Sequence, residues 1–365
     1  MGKKIVFTVI NDLNNDRRMH RICATLFEAG YDVTLVGREL PDSKPIIKRP
    51  FQQYRLKCNF HAGKLFYVEY NLRLFKWLTS RDFDIYGAVD VDTAMAVLRV
   101  SEQKKKPFVL DLHEYFSEVP EVINRALVKR FWKFIEKKAI RKADLVYTVS
   151  DNLAKIFEEQ HHRKVYTIKN VPVYTGNNVL RKYPAAKFNI IYQGALNEGR
   201  GLENLIDAME WVDAELYIAG EGDLSEKLKT QANKKSYNSR IHFLGMLTPE
   251  KLALQTQKAD LGINILESKS LSYYYSLANK FFDYIHAGIP QICMGYPEYK
   301  SINNNFDIAL LIDSFAIEKL VESMNEIISN KNLYNRLAEN CIKASENLNW
   351  QNESLELLQL INNFD

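Results

Sequence analysis

A chain of 365 residues with 46% hydrophobic and 26% charged content is too long for one typical core, and two globular domains are expected. No run of about 18 apolar residues occurs, which argues against a membrane-spanning helix. The net charge of +4 is unevenly spread: residues 1–172 hold 31 Lys and Arg against 21 Asp and Glu, and residues 173–365 hold 18 against 24, so the front half is expected to meet something anionic.

The first apolar run, Lys4 to Ile10, reads as a strand and not as a signal peptide, because it is short and no small-residue cleavage site follows. It leads into Asn11-Asp12-Leu13-Asn14-Asn15-Asp16, with neither a G-x-G-x-x-G turn nor a P-loop, which argues against a nicotinamide dehydrogenase. Asp12 and Asp16 are polar candidates at this strand end, although Asp16 equally suits the cap of a helix running to Glu28. Asp32 to Val36 is the next strand. A basic segment follows, then short strands at Asp84–Ala88 and Phe108–Asp111 with a helix over Thr93–Ser101 between them. Asp111-Leu112-His113-Glu114 places three polar residues at the end of a buried strand. There His113 can hydrogen-bond a hydroxyl and Asp111 or Glu114 can orient it; a structural histidine is the alternative. Asn124 to Lys142 reads as a long basic helix that also carries Leu127, Phe131, Trp132, Phe134 and Ile135. It suits either an anionic membrane surface or a solvated cover on the sheet. Asp144–Val149 is a strand, and Ser150 caps a helix to Gln160. This alternation predicts a parallel sheet with helices on both faces. No nucleic-acid motif accompanies the basic residues, and His161-His162 has no metal-ligand spacing, so neither nucleic acid nor a metal is expected.

Pro172, Gly176 and Pro184 mark a linker over 173–187. The alternation then restarts at Phe188–Tyr192. Tyr192-Gln193-Gly194-Ala195-Leu196 to Arg200-Gly201-Leu202 is a strand, a glycine-bearing loop and a helix start, with Arg200 as a planar donor fork for phosphate. Gly220-Glu221-Gly222-Asp223 is a second such loop. A helix opened by Ser276 as cap and closed by Gly288 follows the strand Leu261–Ile265. Asn279, Lys280 and Asp283 lie on one polar side of it, and its N-terminus with Lys280 suits a phosphate, Asp283 a ribose. The alternative is a solvated Lys–Asp pair. Gln291–Met294 is a buried strand, and residues from Ala316 to Phe364 are mostly helical. The scattered Cys23, Cys58, Cys293 and Cys341 read as reduced thiols of a cytoplasmic protein.

These residues together resemble the retaining glycosyltransferases of family 4 (glycosyl transferases group 1). The most specific pieces are Tyr192 to Leu202, Gly220-Glu221-Gly222 and Asn279-Lys280-Phe281-Phe282-Asp283-Tyr284, with Asp111 to Glu114 and Leu348-Asn349-Trp350 in support. The resemblance implies a GT-B fold, two Rossmann-like doubly wound parallel-sheet domains facing a central cleft. It implies an acceptor domain at 1–172, a nucleotide-sugar domain at 188–347 and a returning helix at 348–365. It further implies a UDP or GDP type donor and no cofactor, with Arg200 and Lys280 at the diphosphate and His113 at the transferred sugar. The donor side would comprise Gly194, Glu221, Gly222, Gly245, Met246, Tyr275, Ser276, Asn279 and Asp283, and the acceptor side Asp12, Asp16, Asp111 and Glu114. The expected product is a glycan or lipid-linked glycan of a surface polysaccharide, made on the inner face of the membrane. Three positions depart from the family: its E-x7-E pair is Tyr275 and Asp283 here, its arginine after the strand glycine is Ala195, and the first loop lacks a Gly-Gly pair. A nucleotide-sugar epimerase on the same fold and a non-catalytic nucleotide-sugar-binding subunit are the rival readings.

Overall fold

The computed structural model describes residues 2–176 and 181–364. The chain forms two compact units, one of Met1–Asn170 with Ser270–Ser272 and Asn352–Asp365, the other of Val171–Lys269 with Tyr273–Gln351. Part of the expected 173–187 linker, residues 177–180, lies outside the described residues.

The first unit contains β1 (Lys4–Thr8), α1 (Arg17–Glu28), β2 (Asp32–Glu39), β3 (Gln52–Lys57), α2 (Gly63–Thr79), β4 (Ile85–Val89), α3 (Asp90–Lys104), β5 (Phe108–Leu112), α4 (Pro120–Ile123), α5 (Ala126–Lys142), β6 (Leu145–Thr148), α6 (Asp151–His161) and β7 (Tyr166–Thr167). Its seven strands are parallel in the order β3-β2-β1-β4-β5-β6-β7. Strands β4, β5 and β6 are buried along their length, as a sheet covered on both faces requires. Residues near the chain end join this unit: Tyr31 Oη donates to Asn362 Oδ1 at 2.8 Å, and Glu353 Oε2 accepts the Lys169 amide at 2.7 Å.

The second unit contains β8 (Phe188–Gln193), α7 (Leu202–Ala208), β9 (Ala214–Ala219), α8 (Ser225–Asn233), β10 (Ile241–Gly245), α9 (Pro249–Thr256) and β11 (Leu261–Asn264). A single turn, α10 (Leu271–Tyr274), precedes α11 (Asn279–His286), β12 (Gln291–Met294), α12 (Pro297–Phe306), β13 (Ala309–Ile312), α13 (Ile317–Ser329) and α14 (Lys331–Asn347); α15 (Trp350–Asn362) ends the chain. Six parallel strands run β10-β9-β8-β11-β12-β13. Phe281, Phe282 and Ile285 of α11 join Ile190, Ile263 and Ile292 of the strands in one core.

Several sequence expectations need correction. Ser276 does not cap α11. Its hydroxyl donates to the Tyr273 carbonyl at 2.8 Å, and the helix starts three residues later with Ala278 at the N-cap. The basic segment after β2 holds a strand and a 17-residue helix, β3 and α2, which the sequence hid. Strand β3 is largely exposed and polar, and α2 has apolar residues on more than one side, so neither shows a clean period. The short α12 and β13 were also missed, and α5 begins at Ala126 rather than Asn124. Among the described residues no helix is long and apolar enough to cross a membrane. All four cysteines are free and buried, none at the surface.

Candidate active site

In an open parallel sheet, ligands bind beyond the strand carboxyl ends where the strand order reverses. That place is beside β8 in the second sheet and beside β1 in the first, and both carry the polar residues singled out from the sequence.

In the second unit β10, β9 and β8 lie side by side, and each leads into a glycine of positive φ: Gly245 at +65°, Gly220 at +143° and Gly194 at +136°. A Cβ on Gly220 would stand 1.9 Å from the Gly194 carbonyl oxygen, so the ends of β9 and β8 come this close only with glycine at 220. Gly194 lies beside Lys280: a Cβ there would be in ordinary contact with the Tyr192 hydroxyl at 3.7 Å and with Lys280 Nζ at 3.9 Å. The ledge is edged by Glu221, whose carbonyl accepts the Leu196 amide at 3.2 Å, by Gly222, and by Met246, which is 75% exposed.

Lys280 is the second residue of α11, where backbone N–H groups lack partners within the helix. Contrary to the expected polar helix side, its side chain is buried, with Nζ 3.9 Å from the centroid of the Tyr192 ring and no hydrogen-bond partner. Arg200, half-buried in the loop after β8, has its guanidinium 5.5 Å from the Tyr273 ring centroid and a buried Nε without a partner. Neither cation forms an ion pair among the described residues. Burial, and then the neighbouring charge of Arg200, pushes the Lys280 ammonium well below the usual lysine range. Two adjacent cations without a carboxylate are unfavourable by themselves and are relieved by a bound anion. One helical turn on, Asp283 accepts a 2.7 Å bond from Gln193 Nε2, while Thr256 donates to Gln193 Oε1 at 2.7 Å and fixes that amide. Asn279 is exposed at the start of α11, and Tyr275 is half-buried with its ring edge-on to Tyr274. Glu267 pairs with Lys269, which also holds Glu198.

The first unit gathers His113, Asp111 and Glu114 with residues the sequence did not reveal. Asp111 is fully buried and held by a two-pronged bond from Arg18, Nε at 3.1 Å and Nη2 at 2.8 Å, while Arg18 Nη1 donates to the Ile168 carbonyl at 2.7 Å. His113 Nε2 lies 3.1 Å from Asp111 Oδ2, and its backbone amide donates to Asp90 Oδ1 at 2.8 Å. Burial alone would raise the Asp111 carboxyl, but Arg18 and His113 bring it down to about 2. Burial works against charge on His113, yet Asp111 and Asp90 overcome it and hold the imidazole at about 9. Asp90 sits at φ +54°, a left-handed conformation that aspartate tolerates better than most residues. Asp92 is buried with one oxygen unpartnered; burial first, then Asp90 and Glu114, pushes its carboxyl far above the usual range. Glu114 is exposed and accepts a 3.4 Å bond from Ser272. Asp16 caps α1, its Oδ1 accepting the Met19 amide at 2.9 Å, and Asp12 accepts the Asn14 amide at 3.2 Å within the loop after β1. Asp90 was not singled out, although its place directly after an apolar strand run was a signal that could have found it; Arg18 carried no local signal, because its partner is 93 residues away.

The pattern of the family described as Glycosyltransferase Family 4 matches residues 16–171, and that of Glycosyl transferases group 1 matches residues 181–344. No curated protein matches the chain. Among solved structures, sucrose-phosphate synthase from Thermosynechococcus elongatus superposes with a TM-score of 0.77 at 16% identity, covering 99% of this chain and 98% of the other. HepE from Anabaena in complex with UDP-glucose gives 0.77 at 14%, covering 99% and 100%, and WaaG, a glycosyltransferase of lipopolysaccharide biosynthesis, gives 0.74 at 14%, covering 98% and 99%. These likenesses show the two-sheet fold along nearly the whole length. With both halves matched in order, the chain belongs to the group 1, family 4 glycosyltransferases of the GT-B fold.

Proposed function

We propose that this glycosyltransferase moves a sugar from a UDP or GDP type nucleotide diphosphate sugar to a hydroxyl of a glycan or lipid-linked glycan. In this reading anomeric configuration is retained, no metal takes part, and the product belongs to a surface polysaccharide. The single observation that carries the reading is the pair of unmatched cations, Lys280 and Arg200, beside the glycine ledge at the end of β8. HepE from Anabaena, which shares the fold, holds UDP and UDP-glucose.

The second unit takes the donor. Lys280, Arg200 and the N-terminus of α11 neutralise the diphosphate as the bond from the anomeric carbon to its oxygen breaks. Asp283 accepts from the ribose, and the backbone at Gly245 and Met246 faces the base. The first unit takes the acceptor. His113, charged up to a pH of about 9, donates to a hydroxyl of the transferred sugar. The acceptor oxygen bonds to the anomeric carbon on the face the diphosphate leaves, and its proton passes to the departing phosphate oxygen. The basic helix α5 keeps the enzyme on an anionic membrane surface at the cytoplasmic side, near a lipid-linked acceptor.

A panel of UDP-, GDP- and ADP-sugars tests the reading. At least one raises the melting temperature, and transfer from that donor needs an acceptor and yields a product of unchanged anomeric configuration by NMR. An inverted product, or epimerisation of the donor without an acceptor, contradicts it.

A further inference from the structure

Each of the two unmatched cations rests on a tyrosine ring. Lys280 Nζ lies 3.9 Å from the Tyr192 centroid, and the Arg200 guanidinium 5.5 Å from that of Tyr273. The first contact is the closer and the more deeply buried: Lys280 and Tyr192 are both buried, whereas Arg200 and Tyr273 are each half-buried. Lys280 Nζ has no hydrogen-bond partner among the described residues. A desolvated ammonium is costly, so the group that faces it decides where it stays. The one acid of α11, Asp283, accepts instead from Gln193 Nε2 at 2.7 Å. The phenol is no counter-ion either. Burial, against the opposing charge of Arg200, pushes the Tyr192 hydroxyl up to about 12, which keeps it neutral at physiological pH. The ring face, the negative pole of the aromatic quadrupole, is therefore the favourable electrostatic contact of this ammonium.

Tyr192 is itself fixed. It lies in β8 between β9 and β11, paired with Ile218 on one side and Ile263 on the other. Its hydroxyl donates to the Ala195 carbonyl at 3.0 Å, across the turn at Gly194. A Cβ at Gly194 would touch both that hydroxyl and Lys280 Nζ. Ring, glycine turn and ammonium thus meet at the end of β8, where the donor reading puts the diphosphate.

We propose that Tyr192 is a positioning residue for Lys280, its ring face holding the ammonium beside the Gly194 turn for the incoming diphosphate. The inference rests on the donor reading of the second unit and adds to it what keeps a buried cation in place before the anion arrives. Charge that is already placed needs no reorganisation when the ligand binds, so loss of the ring's electrostatics weakens the grip on phosphate.

The test removes the quadrupole and keeps the shape of the side chain. Tyr192→Phe is the reference, and phenylalanines carrying successively more ring fluorines replace it at position 192 by incorporation of the unnatural residue. UDP and GDP are titrated into each protein calorimetrically. Affinity for the accepted nucleotide falls stepwise with fluorination, by about tenfold at the end of the series. In the Lys280→Met background the same series is flat, which a merely structural role of the ring does not produce. Equal affinity along the series, affinity that rises with fluorination, or the same fall without Lys280 overturns the inference and leaves the donor reading standing. A Lys280→Met protein that binds both nucleotides as wild type does, or a wild type that binds neither, overturns the donor reading and the inference with it.

Discussion

A Lys280→Met enzyme is expected to turn over its donor about 10²–10³-fold more slowly than wild type, and Arg200→Met by a similar factor, the size seen when one preorganised donor to a developing negative charge is removed. Methionine keeps the length and apolar stem of lysine, so the packing on Tyr192 survives and the loss reports charge. The double variant loses less than the product of the two single factors, because both cations act on the same leaving group. Burial and Arg200 keep the Lys280 ammonium below its usual range in the empty protein. A dianionic ligand acts in the opposite direction and favours the charged ammonium. Steady-state rates at saturating donor check the first effect; unchanged rates remove Lys280 and Arg200 from the chemistry.

Replacing Arg18 by Met is expected to destabilise the first unit by about 3–5 kcal/mol, since Asp111 is left as a buried carboxylate without its partner. Chemical unfolding followed by circular dichroism reads this, and a loss below about 1 kcal/mol contradicts the pairing. The same cluster sets a pH dependence. The Asp111 carboxyl is depressed from 3.8 to about 2, so its contribution is present above about pH 4 and is lost as pH falls through 2. The His113 imidazole is raised from 6.5 to about 9, so its contribution is full below about pH 6.5 and is lost as pH rises through 9. Wild type therefore loses melting temperature between pH 7 and 10 by an increment that His113→Gln does not show. Identical pH profiles for the two proteins contradict this assignment.

Alternation of short apolar runs with helical spacing made the two parallel sheets legible, because fully buried strands such as Ile85–Val89 and Gln291–Met294 carry their signal locally. Strand β3 and helix α2 were not legible, since an exposed edge strand reads as polar loop and a helix with apolar residues on both sides has no single stripe. In the candidate site, Gly194, Arg200 and Lys280 could be picked out by residue type and loop position. That Lys280 points inward onto Tyr192 could not, because helical spacing alone put it with Asn279 and Asp283 on one polar side. Arg18 and Asp90 become neighbours of His113 only through the sheet order, which sets β1 beside β4 and β4 beside β5.

Calorimetric titration of UDP and GDP into the protein reads most directly whether the second unit grips a diphosphate. One of the two nucleotides is predicted to bind, and to bind at least tenfold more weakly to the Lys280→Met, Arg200→Met double variant. Equal affinity of the double variant and wild type for the diphosphate would contradict the assignment.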